Sequence, residues 1–356
     1  MTNPTDAIPE GRQLIQEGTV SMLYPKDVVF YNPVQVQNRD LSTLMITLFG
    51  ERRVKRAAIR AHRKKLNKEL KAKMGSAANS NSHRKEVDAQ LKAFEDAFQY
   101  SEKEAGKIKG MRILDALAAS GLRSLRYHKE IPSSLVHSIT INDLDPAAVD
   151  LAKENIEYNK LSHALVQSPE EEVTKGGIWA QLGDATQVLY NSRRPPNLQT
   201  PTQVQALQRE QYDVIDLDPY GSAAPFIDGA VQAISNGGLL LVTCTDMAAL
   251  GGSHPETCYG RYGSMPITRV GYLQELAVRI LLGNLAQRAA VYGRTIRPIL
   301  SVGMNFYIRV FVEVWDDKAG VRDYIFSPGD QNSFIPGTFP CYVSIQIAHF
   351  LDCFET

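Results

Sequence analysis

The sequence predicts an α/β fold with a doubly wound sheet, and three observations support this prediction. Five short apolar runs alternate with helical patterns from residue 108 onward, which is the order expected of parallel strands joined by helices. Acidic residues follow several of these runs, as Asp143 and Asp218 do. Because ligands of open α/β sheets lie outside the carboxyl ends of the strands, the functional side chains are expected there.

The totals of the chain limit the possible classes of protein. Its 356 residues suffice for one large domain or two ordinary ones, and its 39 basic and 39 acidic residues cancel. The four cysteines have no CxxC spacing, so no metal site is predicted. No apolar run approaches the ~18 residues that cross a bilayer, and no secretory or transit signal is visible, so no membrane partner is expected.

Residues 1–107 are predicted to form an N-terminal extension with a β-hairpin and helices. The pattern of residues 17–30 indicates a hairpin that turns at residues 24–27. Arg39 lies in a polar cluster just before a helix that begins near residue 41. An arginine at such a place can hold a carboxylate or a phosphate, and the alternative is a solvent-facing loop arginine.

A basic segment follows in the same extension. Residues 51–73 contain eleven Lys or Arg and two Glu, which indicates a helix. This helix can bind phosphates, act as a nuclear-import signal or present a solvated face, and the sequence leaves these three interpretations open. A second charged helix is expected over about 85–104.

The predicted core, residues 108–315, begins with a strand over 108–116. Small residues after it allow the backbone to approach a ligand at the N-terminus of a helix. A second strand over 138–141 leads to Asp143, which can hold a ribose or cap the following helix. Asp184 follows a third strand and can bind an adenine amine or cap a short helix.

The later elements of the core are predicted with an insertion and a long loop. The sequence predicts an insertion at 191–211, a central strand from 213, a helix over 223–235 and a strand over 239–244. A loop over 251–269, a helix over about 269–291 and one or two closing strands over 297–314 are predicted to follow.

The central strand ends in the sequence DVIDLDPYGS. Asp218, Pro219 and Tyr220 put a carboxylate beside a flat stacking surface. A base with an exocyclic amine suits this pair, because its ring can stack on Tyr220 while its N–H donates to Asp218. The alternative is an ordinary turn after a strand, since Asp-Pro and Tyr-Gly are common turn dipeptides.

Five long motifs follow one another in the chain. They are EGTVSMLYPKDVVFYNPVQVQNRDLS, ILDALAASGLRSLRY, INDLDPAAVDLAKENIEYN, YDVIDLDPYGSAAPFIDGA and LLLVTCTDMAALGGSHPETCYGRYG. In this order they resemble the eukaryotic tRNA (guanine-26-N2)-dimethyltransferase family. The resemblance spans about residues 14–315 and implies a Rossmann-like methyltransferase that uses S-adenosyl-L-methionine (SAM). It also implies a tRNA substrate, with one and then two methyl groups added to the N2 amine of guanine 26.

The resemblance implies a role for each matching residue. For the cofactor, Arg39 is expected to hold the SAM carboxylate, Arg123 to lie on the same side, Asp143 to bind the ribose, and Asp184 and Ala185 to contact the adenine. For the substrate, Asp218 is expected to accept hydrogen bonds from the guanine amine and help remove its proton, Tyr220 with Pro219 to bind the base, and Tyr31 to stack on its other face.

The resemblance weakens after Val314. Residues 316–356 are predicted to be an atypical tail in place of the family's C-terminal domain, which indicates a truncated form. The alternatives are an amino-methyltransferase acting on another nucleic-acid base and an inactive RNA-binding remnant. A dinucleotide oxidoreductase is disfavoured, because no GxGxxG follows the first strand. A monomer is expected, in the nucleus or else in the mitochondrion or cytosol.

Overall fold

The structure, a computed structural model, describes residues 8–26, 31–74, 81–167, 171, 177–193, 211–304 and 306–325. The strands are β1 (Arg12–Glu17), β2 (Val20–Pro25), β3 (Met111–Asp115), β4 (Val136–Asp143), β5 (Gly177–Leu182), β6 (Tyr212–Leu217), β7 (Ile234–Cys244), β8 (Arg294–Met304) and β9 (Tyr307–Asp316). The helices are α1 (Val36–Met74), α2 (Asn81–Ala97), α3 (Glu102–Ala105), α4 (Leu122–Glu130), α5 (Pro146–Tyr158), α6 (Ala185–Asn191), α7 (Ala224–Ala233), α8 (Met247–Leu250), α9 (Pro255–Tyr262), α10 (Leu273–Val291) and α11 (Lys318–Ile325).

The described part of the chain contains a seven-stranded sheet in the order β5-β4-β3-β6-β7-β9-β8. The strands β3 to β7 are parallel, whereas β9 is antiparallel to both β7 and β8. The strand order reverses between β3 and β6, because the chain winds first to one side of β3 and then to the other. This switch point, where ligands of doubly wound sheets bind, confirms the predicted fold class.

Two apolar layers cover the two faces of the sheet. One contains Leu240 and Val242 with α7 and α10, and the other contains Val214 and Leu241 with α4, α5 and the N-terminal part of α1. Side chains alternate between the faces along each strand. Asp216 and Asp218 therefore lie on the same face as Val214, towards α1 and α4.

The N-terminal segments differ from the prediction in two details. The hairpin of β1 and β2 turns at Gly18-Thr19, because Glu17 pairs with Val20, so the turn predicted at residues 24–27 is wrong. The helix near residue 41 and the basic helix of residues 51–73 are one helix of 39 residues, α1. No proline or glycine pair breaks the chain between them, so the helix runs on.

Two further predictions are corrected by the structure. The segment 251–269 contains the helix α9, which begins at Pro255, a residue well suited to the first turn of a helix. The two closing strands are longer than predicted and form the antiparallel pair β8 and β9. The predicted insertion at 191–211 and tail at 316–356 lie largely outside the described residues.

The N-terminal extension and the sheet share one core. Met22 and Tyr24 of β2 and Ile46 and Phe49 of α1 are buried in the same cluster as Leu125 of α4. The boundary predicted at residue 107 stays a prediction. Among the described residues, no helix combines the length and the apolar character needed to cross a membrane.

Candidate functional site

A cleft of about 550 Å³ lies at the switch point, outside the carboxyl ends of β3, β4 and β6. It brings together most of the residues that the sequence singled out. Those that line it are Tyr31, Arg39, Arg123, Asp143, Asp218, Pro219 and Tyr220. Their convergence from the ends of β4 and β6, from α1 and the segment before it, and from α4 makes this cleft the candidate active site.

The loop between β3 and α4 forms one wall of the cleft as a backbone cradle. Ala119 and Gly121 both have positive φ, of 46° and 76°. A Cβ on Gly121 would lie 3.1 Å from the Cβ of Ala152 on α5, so a side chain there would press the loop away from this helix. The loop therefore stays close to the sheet and leaves small side chains against the cleft.

Asp143 ends β4 and supports this loop. Its carboxylate accepts hydrogen bonds from the backbone N–H of Ala119 at 2.8 Å and from that of Asp145 at 3.0 Å. The N-cap of α5 is Asp145, which accepts from the N–H of Ala147 at 2.9 Å. Capping, the alternative role considered for Asp143, is therefore performed by its neighbour, and Asp143 faces the cleft.

Asp184 and Ala185 do not line the cleft. They lie after β5, one strand beyond Asp143, where Asp184 caps α6 by accepting from the N–H of Thr186 at 2.8 Å. Ala185 is buried against the other apolar layer. Their expected contact with an adenine stays a prediction.

Asp218 is the carboxylate at the centre of the cleft. It forms an ion pair with Arg123, which also donates to Ser42 Oγ at 2.9 Å. Burial alone would raise the pKa of Asp218, but the positive charges of Arg123 and Arg309 outweigh it and lower the pKa below its usual range. Asp218 is therefore an ionised hydrogen-bond acceptor at neutral pH.

Arg39 also lines the cleft, in a buried ion pair with Glu17. Its Nε and Nη2 donate to the two carboxylate oxygens of Glu17 at 2.6 and 2.5 Å, and Nη2 also reaches the carbonyl of Asn32 at 3.1 Å. The guanidinium lies 5.4 Å from the ring centre of Tyr31. Glu17 fixes the orientation of Arg39, so Nη1 is the nitrogen left to meet a ligand.

Tyr220 presents its ring to solvent at the edge of the cleft. It is 90% exposed, although the chain on both sides of it is packed. The next residue, Gly221, has a φ of 90°, which few side-chain-bearing residues adopt. The turn therefore directs a large aromatic ring outwards beside Asp218, as a stacking surface requires.

A hydrogen-bonded clasp holds this turn, a feature that the sequence did not predict. The N–H of Gly221 donates to Thr245 Oγ1 at 2.7 Å, and the N–H of Thr245 donates to the carbonyl of Gly221 at 2.8 Å. Beside it, Ser222 Oγ lies 2.7 Å from the hydroxyl of Tyr262, which also donates to Asp246 at 2.9 Å. The loops after β6 and β7 are thus joined.

Replacing Thr245 with valine should reduce turnover about 10-fold while leaving cofactor affinity unchanged. Valine has nearly the same shape but cannot accept the hydrogen bond of Gly221, so the turn loses its orientation. Steady-state kinetics with separate cofactor titration would test this. Thr186→Val is the control. The backbone N–H of Thr186 donates to Asp184, and the threonine hydroxyl takes no part in that bond, so this variant should leave turnover unchanged.

A buried polar network beneath Asp218 was also missed. Arg309 of β9 donates from Nη2 to both oxygens of Asp216, at 2.9 and 3.0 Å, and to Ser42 Oγ at 2.8 Å. The hydroxyl of Tyr127 donates to Asp216 at 2.5 Å. Asp216 was visible in the sequence, but its partner lies 93 residues away in an alternating strand that gave no sign of a buried charge.

Asp115 completes the network at the end of β3. Burial, followed by the nearby charge of Asp216, raises its pKa to about 7 against the opposing effect of Arg123. Its Oδ2 accepts from Ser124 Oγ at 2.8 Å. Among the described residues, no group of His, Cys, Asp or Glu side chains is arranged to hold a metal ion.

The raised pKa of Asp115 predicts a pH dependence of stability. The folded chain binds this proton more tightly than the unfolded chain, so the contribution of Asp115 to the free energy of unfolding is present below about pH 4 and lost as the pH rises through about 7. An Asp115→Asn variant should therefore gain stability relative to the wild type between pH 5.5 and 8. Urea unfolding at several pH values would measure it, and parallel curves would contradict it.

Comparison with known proteins identifies the family. A family model described as N2,N2-dimethylguanosine tRNA methyltransferase matches residues 11–329. The chain belongs to this family. The resemblance noted in the sequence is thereby confirmed.

Members of the family from animals and fungi are similar to the chain. It is 38% identical over 317 residues to the tRNA (guanine(26)-N(2))-dimethyltransferase of Mus musculus. This alignment covers 86% of the chain and 42% of the mouse protein. It is 35% identical over 324 residues to the mitochondrial enzyme of that name from Saccharomyces cerevisiae, with 89% and 50% covered. The chain thus spans half or less of the length of these relatives.

A solved structure agrees with the fold. The complex of Trm1 from Pyrococcus horikoshii with S-adenosyl-L-methionine superposes with a TM-score of 0.61 at 25% sequence identity, covering 87% of this chain and 63% of the other. The Rossmann-like fold predicted for the chain is therefore confirmed.

Proposed function

We propose that the chain catalyses SAM-dependent methylation of the N2 amine of guanine 26 in tRNA, adding one and then a second methyl group. The observation that supports this most directly is the ionised Asp218 beside the exposed ring of Tyr220, at the switch point of a member of this family. Relatives of the chain in mouse and in Saccharomyces cerevisiae are named for this reaction.

The cleft also offers groups that fit SAM. Small residues after β3 leave room for a ligand, and Asp143 and the remaining nitrogen of Arg39 offer an acceptor for hydroxyls and a donor for a carboxylate. Arg39, Arg123 and Asp143 would hold the cofactor, with Asp184 and Ala185 towards its adenine. When bound, SAM supplies an electrophilic methyl group on a sulfonium.

Asp218 supplies the general-base chemistry. The lone pair of a guanine N2 amine is delocalised into the ring, so the amine is a weak nucleophile. An ionised carboxylate that accepts hydrogen bonds from the N–H groups of this amine stabilises the positive charge that develops on the nitrogen during attack. The same carboxylate takes up the proton that the amine loses. Arg123 positions this carboxylate, and the same group can act in both methylation steps.

The base must leave its stack to reach Asp218. Guanine 26 lies within folded tRNA, and turning a base outwards costs a few kcal/mol of stacking. Tyr220 and Pro219 offer a surface that replaces part of this stacking, and Tyr31, which also lines the cleft, would contact the other face of the base. This arrangement is equally suited to an amine on another base, which the substrate test separates.

Nucleoside mass spectrometry would test the proposal. Unmodified tRNA is incubated with SAM and the chain, beside a tRNA whose guanine 26 is replaced by adenine. Dimethylguanosine in the first tRNA alone is the expected result, and methylation of another base would favour a different amino-methyltransferase. SAM binding without turnover would favour the alternative of an inactive RNA-binding remnant.

We also infer a nuclear location and a monomeric state. The basic segment of α1 supports the former, while the name of the Saccharomyces cerevisiae relative makes the mitochondrion the first alternative and the cytosol the second. Imaging of a tagged chain and light scattering would test these two inferences.

A further inference from the structure

Helix α1 displays a row of three cations that we call the cationic stripe: Arg60, Lys64 and Lys68. All three side chains are exposed. Their spacing of four residues keeps them on one side of the helix, with a rotation of about 40° at each step. Among the residues whose side chains the structure describes, none is an ion-pair partner of the stripe.

The cations that the structure describes between residues 52 and 65 of this helix, apart from the stripe, differ because each lies close to an acid. Those pairs are Arg52–Glu313 at 3.6 Å, Arg53–Asp213 at 3.0 Å, Arg56–Glu313 at 2.7 Å, Lys55–Glu95 at 3.7 Å, Arg63–Asp88 at 3.5 Å and Lys65–Glu69 at 3.8 Å. Like charges four residues apart destabilise a helix by a few tenths of a kcal/mol. The stripe therefore weakens α1 locally, and a purely structural role does not account for it.

The stripe faces away from α2, which packs along another side of α1. Ile59 and Leu66 belong to the small apolar cluster between the two helices, and His62 stacks on Phe94 with ring centres 4.2 Å apart. On a helical projection, the stripe is turned by more than about 100° from these residues. It continues instead the side of α1 on which Arg53 and Arg56 meet the sheet.

The stripe lies far from the cleft, so only a large substrate can contact both. Arg39 lines the cleft near the start of α1, and the helix then passes Asp213 at the amino end of β6. With a rise of 1.5 Å per residue, Arg60 and Lys68 lie roughly 32 and 44 Å along the helix from Arg39. A nucleic-acid duplex advances on the order of 30 Å in one turn, so an arm of a folded RNA can span this distance.

We propose that the cationic stripe binds the sugar-phosphate backbone of a tRNA arm while guanine 26 occupies the cleft, an inference that rests on the proposed function. Three cations on one side of a helix, with no ion-pair partner among the described side chains, neutralise phosphates without reading sequence. The chain has no net charge, so such a local surface is how it attracts RNA. The stripe contributes affinity and orientation, and Asp218 performs the chemistry.

The test compares two triple variants of the full chain that carry the same change in charge. In the first, the stripe is removed as Arg60→Gln, Lys64→Gln and Lys68→Gln. In the control, Lys55, Arg63 and Lys65, which face acids, are each replaced by Gln. Affinity for unmodified tRNA is measured by fluorescence anisotropy between 50 and 200 mM salt, with circular dichroism to verify the helix content.

The stripe variant should lose at least about 10-fold in tRNA affinity at 50 mM salt, and the slope of log K against log salt should fall by about 2 to 3. The control should change much less, because its cations are already neutralised. SAM affinity and turnover on a short stem-loop that contains the target guanine should be the same in all three proteins. Equal losses in both variants, or none in the first, would overturn the proposal.

The outcomes separate this inference from the proposed function. If the wild type methylates tRNA and the stripe variant binds tRNA equally well, only the proposal for the stripe is overturned. A wild type that binds tRNA through the stripe without methylating it overturns the proposed reaction alone. Unchanged tRNA affinity together with loss of nuclear accumulation would overturn the RNA surface in favour of an import signal.

Discussion

Replacing Asp218 with asparagine should reduce methyl transfer by about 10²- to 10⁴-fold, the range that a positioned general base supplies. Asparagine keeps the size and one carbonyl acceptor, but it has neither the negative charge nor the basicity of the carboxylate. Because Arg123 lowers the pKa of Asp218, the wild-type group is charged throughout the neutral range. The loss should therefore appear in kcat, with SAM affinity nearly unchanged.

The matched control for this prediction is Asp228→Asn. Asp228 accepts hydrogen bonds from Tyr190 and Tyr292 on α6 and after α10, away from the cleft. The variant removes the same charge from the same chain and should retain turnover within about twofold, since substitutions remote from a site act mainly on stability. An Asp218→Asn variant with wild-type kcat would contradict the role of the carboxylate.

The central part of the site was predictable because its signals are local. The apolar run that ends in Asp218-Pro219-Tyr220 places these residues after a buried strand, and the carboxyl ends of parallel strands meet at one edge of the sheet. Asp143 follows the next strand by the same rule. For Arg39 and Tyr31, which come from the N-terminal extension, only the resemblance to the family indicated a place in the cleft.

The partners of these residues could not be predicted. Arg39 is bound by Glu17 across a hairpin, and Arg123 contacts Ser42 on α1, so each contact depends on how distant segments pack. Strand patterns show which face a residue takes but not the charge that meets it. In the sequence Thr245 is simply the residue that follows a strand, and nothing there indicates that its hydroxyl accepts the hydrogen bond that fixes the turn at Gly221.

The extent of α1 shows a further limit of sequence patterns. Helical periodicity predicted two segments around residue 50, because the composition changes there from apolar to basic. However, the change in composition shows which part of the helix packs against other elements, and it does not show where the helix ends. The apolar part packs on the sheet and the basic part extends beyond it, which is why one helix serves both the cleft and the cationic stripe.

Replacing Arg309 with methionine should lower the free energy of unfolding by about 3–5 kcal/mol, the range found when one partner of a buried ion pair is removed. Arg309 is fully buried and donates to Asp216, Ser42 and Thr243, so its loss leaves the Asp216 carboxylate in the interior with Tyr127 and Arg123 as its remaining partners among the described residues. For a domain of this size the melting temperature should fall by on the order of 10 °C.

Two further variants make this prediction specific to the buried charge. Arg297→Met on the neighbouring strand β8 removes an arginine that is 60% exposed, and it should change stability by less than about 1 kcal/mol. Adding Asp216→Asn to Arg309→Met should restore part of the stability, because no carboxylate then lies buried without its cation. Urea unfolding of the wild type, Arg309→Met, Asp216→Asn and the double variant would measure the coupling. Additive losses would mean that Arg309 stabilises the fold through its packing alone, whereas recovery would show that the electrostatic pairing beneath Asp218 holds the floor of the cleft in place.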